Sequence, residues 1–273
     1  MAFAQCSTLT TISEFSPSLK KIQKWSFEGC GNLKMQLKLP PSLEEIGIGA
    51  FSHCAKLHGK VVFSKKMTQI SENAFEHCIS LNELVFPSGI KKIKDHAFTA
   101  CEGLHKIHFT EGLQEIGSSA FSCCTNIEDI SFPAGLKKIG KEAFSQCYNL
   151  KNIAFSEGLE IIEKDAFYNA GLVTGTLKFP STLKEIHESA FEGCVHLIGG
   201  DLILPENVEK VSNNAFDLCD FSNIVFKNQY TFIGEKALGH TTAVIWGYWN
   251  STAYDYAKKY GHKFCDIRDW PDY

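Results

Sequence analysis

Apolar and polar positions alternate along this chain in one pattern that recurs from end to end. A copy reads as an apolar pair and a ring, Leu81-x-x-Leu84-x-Phe86, then Pro87-Ser88-Gly89, then Ile90-x-x-Ile93, then Ala97-Phe98-x-x-Cys101. Leu84 and Phe86 alternate with polar neighbours, which is strand periodicity. The glycine-bearing segment that follows predicts a turn. Phenylalanines at 3, 27, 51, 75, 98, 121, 144, 167, 191 and 216, with Leu238 in the same slot, step by 22 to 25 residues. A fixed period of that length predicts a stacked-repeat solenoid. One copy cannot bury its apolar side alone, so each must be sheltered by the copy before and the copy after.

Alanine precedes the phenylalanine in most copies, as in Ala50, Ala120 and Ala190, and Ser26 replaces it once. Three residues after the ring comes cysteine in nine copies: 6, 30, 54, 78, 101, 124, 147, 194 and 219. Ala170 and Thr241 fill that slot elsewhere. A small residue, a ring and a small thiol at this spacing suit one inward face of a tight helical turn. Eleven copies about 4.8 Å apart would form a body roughly 50 Å long.

The motif Leu-x-x-Ile-x-Phe-Pro-x-Gly-Leu-x-x-Ile-x-x-x-Ala-Phe-x-x-Cys resembles the BspA-like, or treponemal-type, leucine-rich repeats. Residues 124–147 carry it almost unbroken, and the likeness runs from residue 2 to about 241. The segment from Tyr248 to Gly261 is similar to the closing segment of many such proteins. The resemblance implies an α/β-type repeat solenoid coiled as a right-handed superhelix. It further implies a parallel concave sheet and short helical or 3-10 turns on the convex side. It implies surface adhesion and protein binding, and no catalytic residues.

Two regions are therefore expected, a solenoid over 1–242 and a C-terminal cap over 243–273. Ser251 can cap a helix, Ala253 to Tyr260 is helix-compatible, and Gly261 can end it. His262 to Ile267 supplies a final strand on this reading. The dense aromatics of the tail, Trp246, Tyr248, Trp249, Tyr254 and Tyr256, suit either a ligand platform or cover for the last copy; cover is the expected role, because a solenoid end must be shielded.

Charge adds one detail. Between the second apolar pair lie Lys20-Lys21, Glu44-Glu45, Thr68-Gln69, Lys91-Lys92, Gln114-Glu115 and Lys137-Lys138 in successive copies. Lysine pairs never occupy adjacent copies, which predicts cross-copy ion pairing rather than a basic patch. The net charge of -4 argues against nucleic-acid and anionic-membrane partners. No run of 18 apolar residues is present, so no spanning helix and no membrane insertion are expected. Met1 sits directly on Ala2-Phe3, inside a copy, so the chain is expected to be either the C-terminal part of something longer or an unusual natural start. As it stands the sequence reads as cytoplasmic; as a fragment of an exported protein it would be surface-bound or secreted. A monomer is expected.

Nine of the eleven cysteines share one slot, where parallel side chains on successive copies suit packing better than disulfide geometry. Cys123 and Cys265 lie outside it and are the more reactive thiols on this reading. His53-Cys54 and His77-Cys78 stand in adjacent copies, but the cysteines should face in and the histidines out, so no metal and no cofactor are expected. No phosphate loop, His-Glu-x-x-His or Gly-x-Ser-x-Gly motif is present, and no enzyme is expected.

What remains is the outward strip of the strands. Lys60, Glu83, Lys106, His108, Asp129, Ser131, Asn152, Thr176, Lys178 and Asp201 are the candidate partner-binding residues. Gln36 and Lys38 precede them in the same strip, and Val62, Val85, Ala154, Ile203 and Val225 are interleaved with them. The strip is mixed in charge and lacks an aromatic cluster. The insertions at Leu172 to Gly175 and at Ile198 to Gly200 would lengthen two loops on one edge. Two functions stay open at this point: a scaffold binding a protein ligand, or a structural spacer within a longer protein.

Overall fold

The computed structural model describes residues 2–171, 177–197, 199–239 and 241–271. Each copy contributes two parallel strands and one pair of turns, so the chain winds as a β-solenoid of about ten turns.

One strand of each copy is only two residues long. Gln69–Ile70, Lys92–Ile93, Glu115–Ile116, Lys138–Ile139, Ile161–Ile162, Glu185–Ile186, Lys210–Val211 and Phe232–Ile233 form one eight-stranded parallel sheet. Lys21–Ile22 and Glu45–Ile46 pair in the same manner. The second residue of each is buried in all but the last strand, and the first faces out. The lysine spacing seen in the sequence is explained here. Lys21 meets Glu45 at 2.9 Å, Lys92 meets Glu115 at 2.7 Å, and Lys184 meets Glu160 at 2.8 Å. Exposed pairs of this kind fix register and partner more than they add stability.

The other strand carries the leucine-rich motif. Gly59–Val62, Leu81–Val85 and Lys106–His108 form one parallel sheet. Asp129–Ser131 pairs with Asn152–Ala154. Leu177–Lys178, Asp201–Leu204, Asn223–Phe226, Val244–Gly247 and Phe264–Asp266 form a third sheet of five strands.

The Ala-Phe-x-x-Cys segment is not a helix. The expected short helical or 3-10 turns do not form in the described copies, and the solenoid is β rather than α/β. The physical reason lies two residues before and two residues after the ring. His96 and Ala100 flank Phe98 with φ of 55° each; Asp165 and Asn169 flank Phe167 with φ of 56° and 53°. A left-handed residue every fourth position cannot propagate a right-handed helix. Consecutive β-turns result: Ala97 N–H bonds the Lys94 carbonyl at 3.3 Å, and Cys101 N–H bonds the Phe98 carbonyl at 3.2 Å. The remaining amides bond across copies, with Phe98 N–H on the Ala120 carbonyl at 2.8 Å and Ala100 N–H on the Ser122 carbonyl at 2.8 Å. The turn face is thus a third hydrogen-bonded ladder.

Inside these three faces runs one column of rings. Phe98, Phe121 and Phe144 are fully buried and stack at centroid distances of 5.3 and 5.2 Å with nearly parallel planes. A second column, Phe63, Phe86, Phe109, Phe132, Phe155 and Phe179, stacks at 5.0 to 5.9 Å and meets the first edge-on. Edge-to-face and offset contacts of this sort add to the burial of each ring.

All eleven cysteines are free. The slot cysteines are hydrogen-bond donors as well as packing groups. Cys78 Sγ reaches the Phe51 carbonyl of the preceding copy at 3.1 Å, Cys124 reaches Phe98 at 3.2 Å, and Cys219 reaches Phe191 at 3.2 Å. That carbonyl also accepts the amide of its own copy's cysteine, so both of its lone pairs are used. Burial pushes the Cys54 and Cys101 thiols up to about 12, and raises Cys78, Cys124, Cys147 and Cys194 in the same direction.

The helix Thr252–Tyr260 forms where the sequence places it. Ser251 Oγ accepts from the Tyr254 amide, and Gly261 closes it with φ of 77°. Phe264–Asp266 then adds an outer strand beside Val244–Gly247. The Leu238 amide, which in earlier copies would bond the next copy's carbonyl, donates to the Tyr256 hydroxyl at 3.2 Å.

Two outcomes follow. Phe121→Ala should lower the unfolding free energy by about 3–5 kcal/mol, measured by urea denaturation, while Tyr148→Ala on the exposed turn stays within about 0.5 kcal/mol. Stability should also fall at alkaline pH. The buried thiols have folded pKa values above the unfolded one, so their contribution is complete below about pH 8.5 and is lost as pH rises toward 12, with a slope of up to about 1.4 kcal/mol per pH unit per thiol. Denaturation at pH 8 and pH 10.5 should show the drop, and Cys101→Ala should reduce its slope.

Candidate binding surface

In-register parallel pairing lines the outward residues of the longer strands into two rows. Lys60, Glu83 and Lys106 align in the first row, as do Asp129 with Asn152 and Asp201 with Asn223. Val62, Val85 and His108 align in the second, as do Ser131 with Ala154 and Lys178 with Ile203, Val225 and Trp246. Thr176 and the 172–175 insertion lie outside the described residues, as does Ile198 of the second insertion.

Much of the strip satisfies itself. Glu83 takes Lys60 Nζ at 3.0 Å and His108 Nε2 at 3.0 Å. The Lys60 hydrogen bond holds the Glu83 carboxyl below the usual carboxylate range, with His108 assisting. Asn152 donates to Asp129 at 2.6 Å, Asn223 donates to Asp201 at 2.8 Å, and Trp246 Nε1 donates to Asn223 at 2.9 Å. Among the described residues, the side chains of Lys106, Ser131 and Lys178 have no such partner. Of the candidate partner-binding residues from Lys60 to Asp201 that the structure describes, these three keep unpartnered polar ends.

The sheet of longer strands is also interrupted. No strand pairing joins Lys106–His108 to Asp129–Ser131, although Phe109 still stacks on Phe132 at 5.9 Å behind them. A hollow of about 650 Å³ opens at this break. His105, Lys106 and His108 line one side, Glu128, Asp129 and Ser131 the other, and half-buried Ile107 and Phe109 form its floor. The sequence reading found Lys106, His108, Asp129 and Ser131 but not His105 and Glu128. Those two stand one residue before the alternating segment, where period-two reasoning carries no signal. The break itself has no signature in the sequence.

The remaining candidate chemistry resolves into packing. Cys54 and Cys78 are buried, while His53 is exposed and stacks on His77 at 4.6 Å. Among the described residues no group of three or more His, Cys, Asp or Glu side chains converges on a metal position. Cys123 and Cys265 are half-buried; Cys123 Sγ lies 3.7 Å from Gln146 Oε1. No helix among the described residues is long and apolar enough to cross a membrane.

Two faces of parallel strands, a turn ladder and an axial phenylalanine column define a leucine-rich-repeat solenoid. A six-copy model of the BspA-type leucine-rich repeat region matches residues 1–89, 68–198 and 175–245, so this chain belongs to that family. A leucine-rich repeat protein from Bacteroides ovatus is 23% identical, with a TM-score of 0.60 over 97% of this chain and 80% of its own. The leucine-rich repeat protein of T. pallidum is 24% identical, with a TM-score of 0.51 over 90% of this chain and 89% of its own. The pneumococcal vaccine antigen PcpA is 18% identical, with a TM-score of 0.53 over 94% of this chain and 82% of its own. Among curated proteins, none matches. At these identities the likeness defines the fold alone.

Removing the Lys60 ammonium should return Glu83 toward an ordinary carboxyl titration. In Lys60→Met the midpoint of the Glu83 carboxyl carbon, followed by NMR, is expected to rise; an unchanged midpoint would assign its depression to another group.

Proposed function

We propose that this chain is a non-catalytic scaffold that binds another protein across its longer-strand face, which on this reading is the concave one. The supporting observation is the hollow between Lys106–His108 and Asp129–Ser131. An apolar floor ringed by opposed charges reproduces on a small scale the apolar centre and polar rim of protein interfaces. Basic groups on one wall and acidic groups on the other select a partner by orientation as well as by sign. Lys178 and Ser131 add to the same face polar ends that have no partner among the described residues.

The rigid stacking beneath supports this reading. A surface built on continuous ladders loses little conformational freedom when it docks, so less of the contact energy is spent on ordering. The family resemblance extends the proposal to adhesion or surface recognition. The segment 243–273 acts on this reading as the cap that keeps the last turn of the solenoid from pairing with other chains. The partner is a protein, the scaffold works as a monomer, and neither nucleic acid nor cofactor takes part.

A photo-crosslinking residue at Ser131 should capture a partner from the native source that the same residue at Ser181, on the turn edge, does not. Lys106→Glu combined with Asp129→Lys should lower that capture about tenfold. Equal capture from both positions, unaffected by the double charge swap, would refute the assignment.

A further inference from the structure

A second break in the longer-strand ladder lies near the N-terminal end of the same face. Between residues 36–39 and the strand Gly59–Val62 the only backbone pairing is the single bridge Gln36 to His58. A hollow of about 670 Å³ opens there. Leu37, Leu39 and Phe63 line its inner side, and Val62, 52% exposed, stands at its lip.

The charge around it is of one sign. Lys38, Lys60, Lys65 and Lys66 line the hollow, and no carboxylate does. Lys60 is engaged by Glu83 at 3.0 Å. The other three are exposed and have no partner among the described residues. In a chain of net charge -4, three unneutralised ammonium groups around an apolar depression form a local inversion of the overall field. In later copies the position of Lys65 carries Ser88, Glu111, Ala134, Glu157, Ser181, Glu206 and Asn228, so none of them places a lysine there.

We propose that this hollow holds an acidic, extended segment of a protein partner, seated by one apolar side chain. Three features select that occupant. The floor accepts an aliphatic or aromatic side chain and gains from burying it. The lysines neutralise carboxylates on either side of that anchor. The backbone groups of Lys38 and Leu39, which lack pairing to the next strand, offer hydrogen bonds that an extended chain supplies and a small amphiphile does not. The proposal rests on the protein-binding reading given above and adds the chemistry of the ligand at one end of the strip.

The test uses the full chain with methyl-labelled valine and leucine and a capped pentapeptide of four glutamates around a central leucine. The peptide is expected to shift the Val62 and Leu39 methyl resonances, and its affinity should fall as salt is raised. Exchanging the glutamates for lysines should abolish binding. Replacing the leucine with serine should weaken it. The triple variant Lys38→Glu, Lys65→Glu, Lys66→Glu should bind about tenfold more weakly, with unchanged Leu202 methyl resonances showing an intact core. The Lys106→Glu, Asp129→Lys variant should bind normally. Absence of Val62 shifts, equal binding of the lysine peptide, or loss of binding only in the Lys106 variant would overturn the assignment. The last result would leave the strip reading standing, whereas loss of Ser131 crosslinking would sink that reading by itself. Decanoate shifting Val62 where the peptide does not would give the hollow to a small amphiphile and likewise overturn the proposal.

Discussion

The phenylalanine carbonyl is the hinge of this architecture. In the middle of the tight turn, in every copy followed by a slot cysteine, it accepts the amide at the slot position of its own copy and the thiol of the next copy's cysteine, as Phe98 does from Cys101 and Cys124. A buried carbonyl left unpaired would be costly, and here both lone pairs are occupied. The ring attached to the same residue is the unit of the axial column. One residue type therefore joins the polar and apolar halves of the stacking, and the side chain three positions on completes it. Alanine at that position fills similar space but donates nothing, and Ala170 marks the one described copy where this is so.

The longer-strand face inherits its properties from this interior. Because the axial ring column persists behind the breaks at residues 36–39 and at Lys106–His108, the strands part without the core coming apart. The ladder of backbone bonds is therefore dispensable at these two places, as it is between Asn152–Ala154 and Leu177–Lys178, and the first two expose apolar side chains beside charged ones. A globular sheet of single strands would not keep its register through such gaps. A solenoid does, because two other ladders hold each copy in line.

The period, the ring column, the inward cysteines, the cross-copy ion pairs and the capped terminal helix were all legible from residue spacing. Spacing works where identical copies must bury identical groups. The turn conformation was misread as helical because Ala-Phe-x-x-Cys has helix-like separations. The corrective signal was present in the flanking positions: Asn73, His77, Asp165, Asn169 and Asn214 belong to residue types that accept left-handed backbone. Glu142 and Lys236 occupy the same positions without that preference, which hid the pattern. The two-residue strands were too short for period-two alternation to register. The charged rows were found, but their internal pairing, which leaves Lys106, Ser131 and Lys178 without a partner among the described residues, depends on cross-strand register that a linear sequence does not display.

Each junction between copies is bonded in both directions along the axis. Amides such as that of Phe98 point toward the following copy, and thiols such as that of Cys124 point toward the preceding one. Every central module therefore presents the same pair of mating surfaces fore and aft. Excision or duplication of one whole module by recombination rejoins matching surfaces, whereas gain or loss of part of one shears all three ladders. Length in such a molecule is free to drift in whole units, while the modules themselves stay constrained.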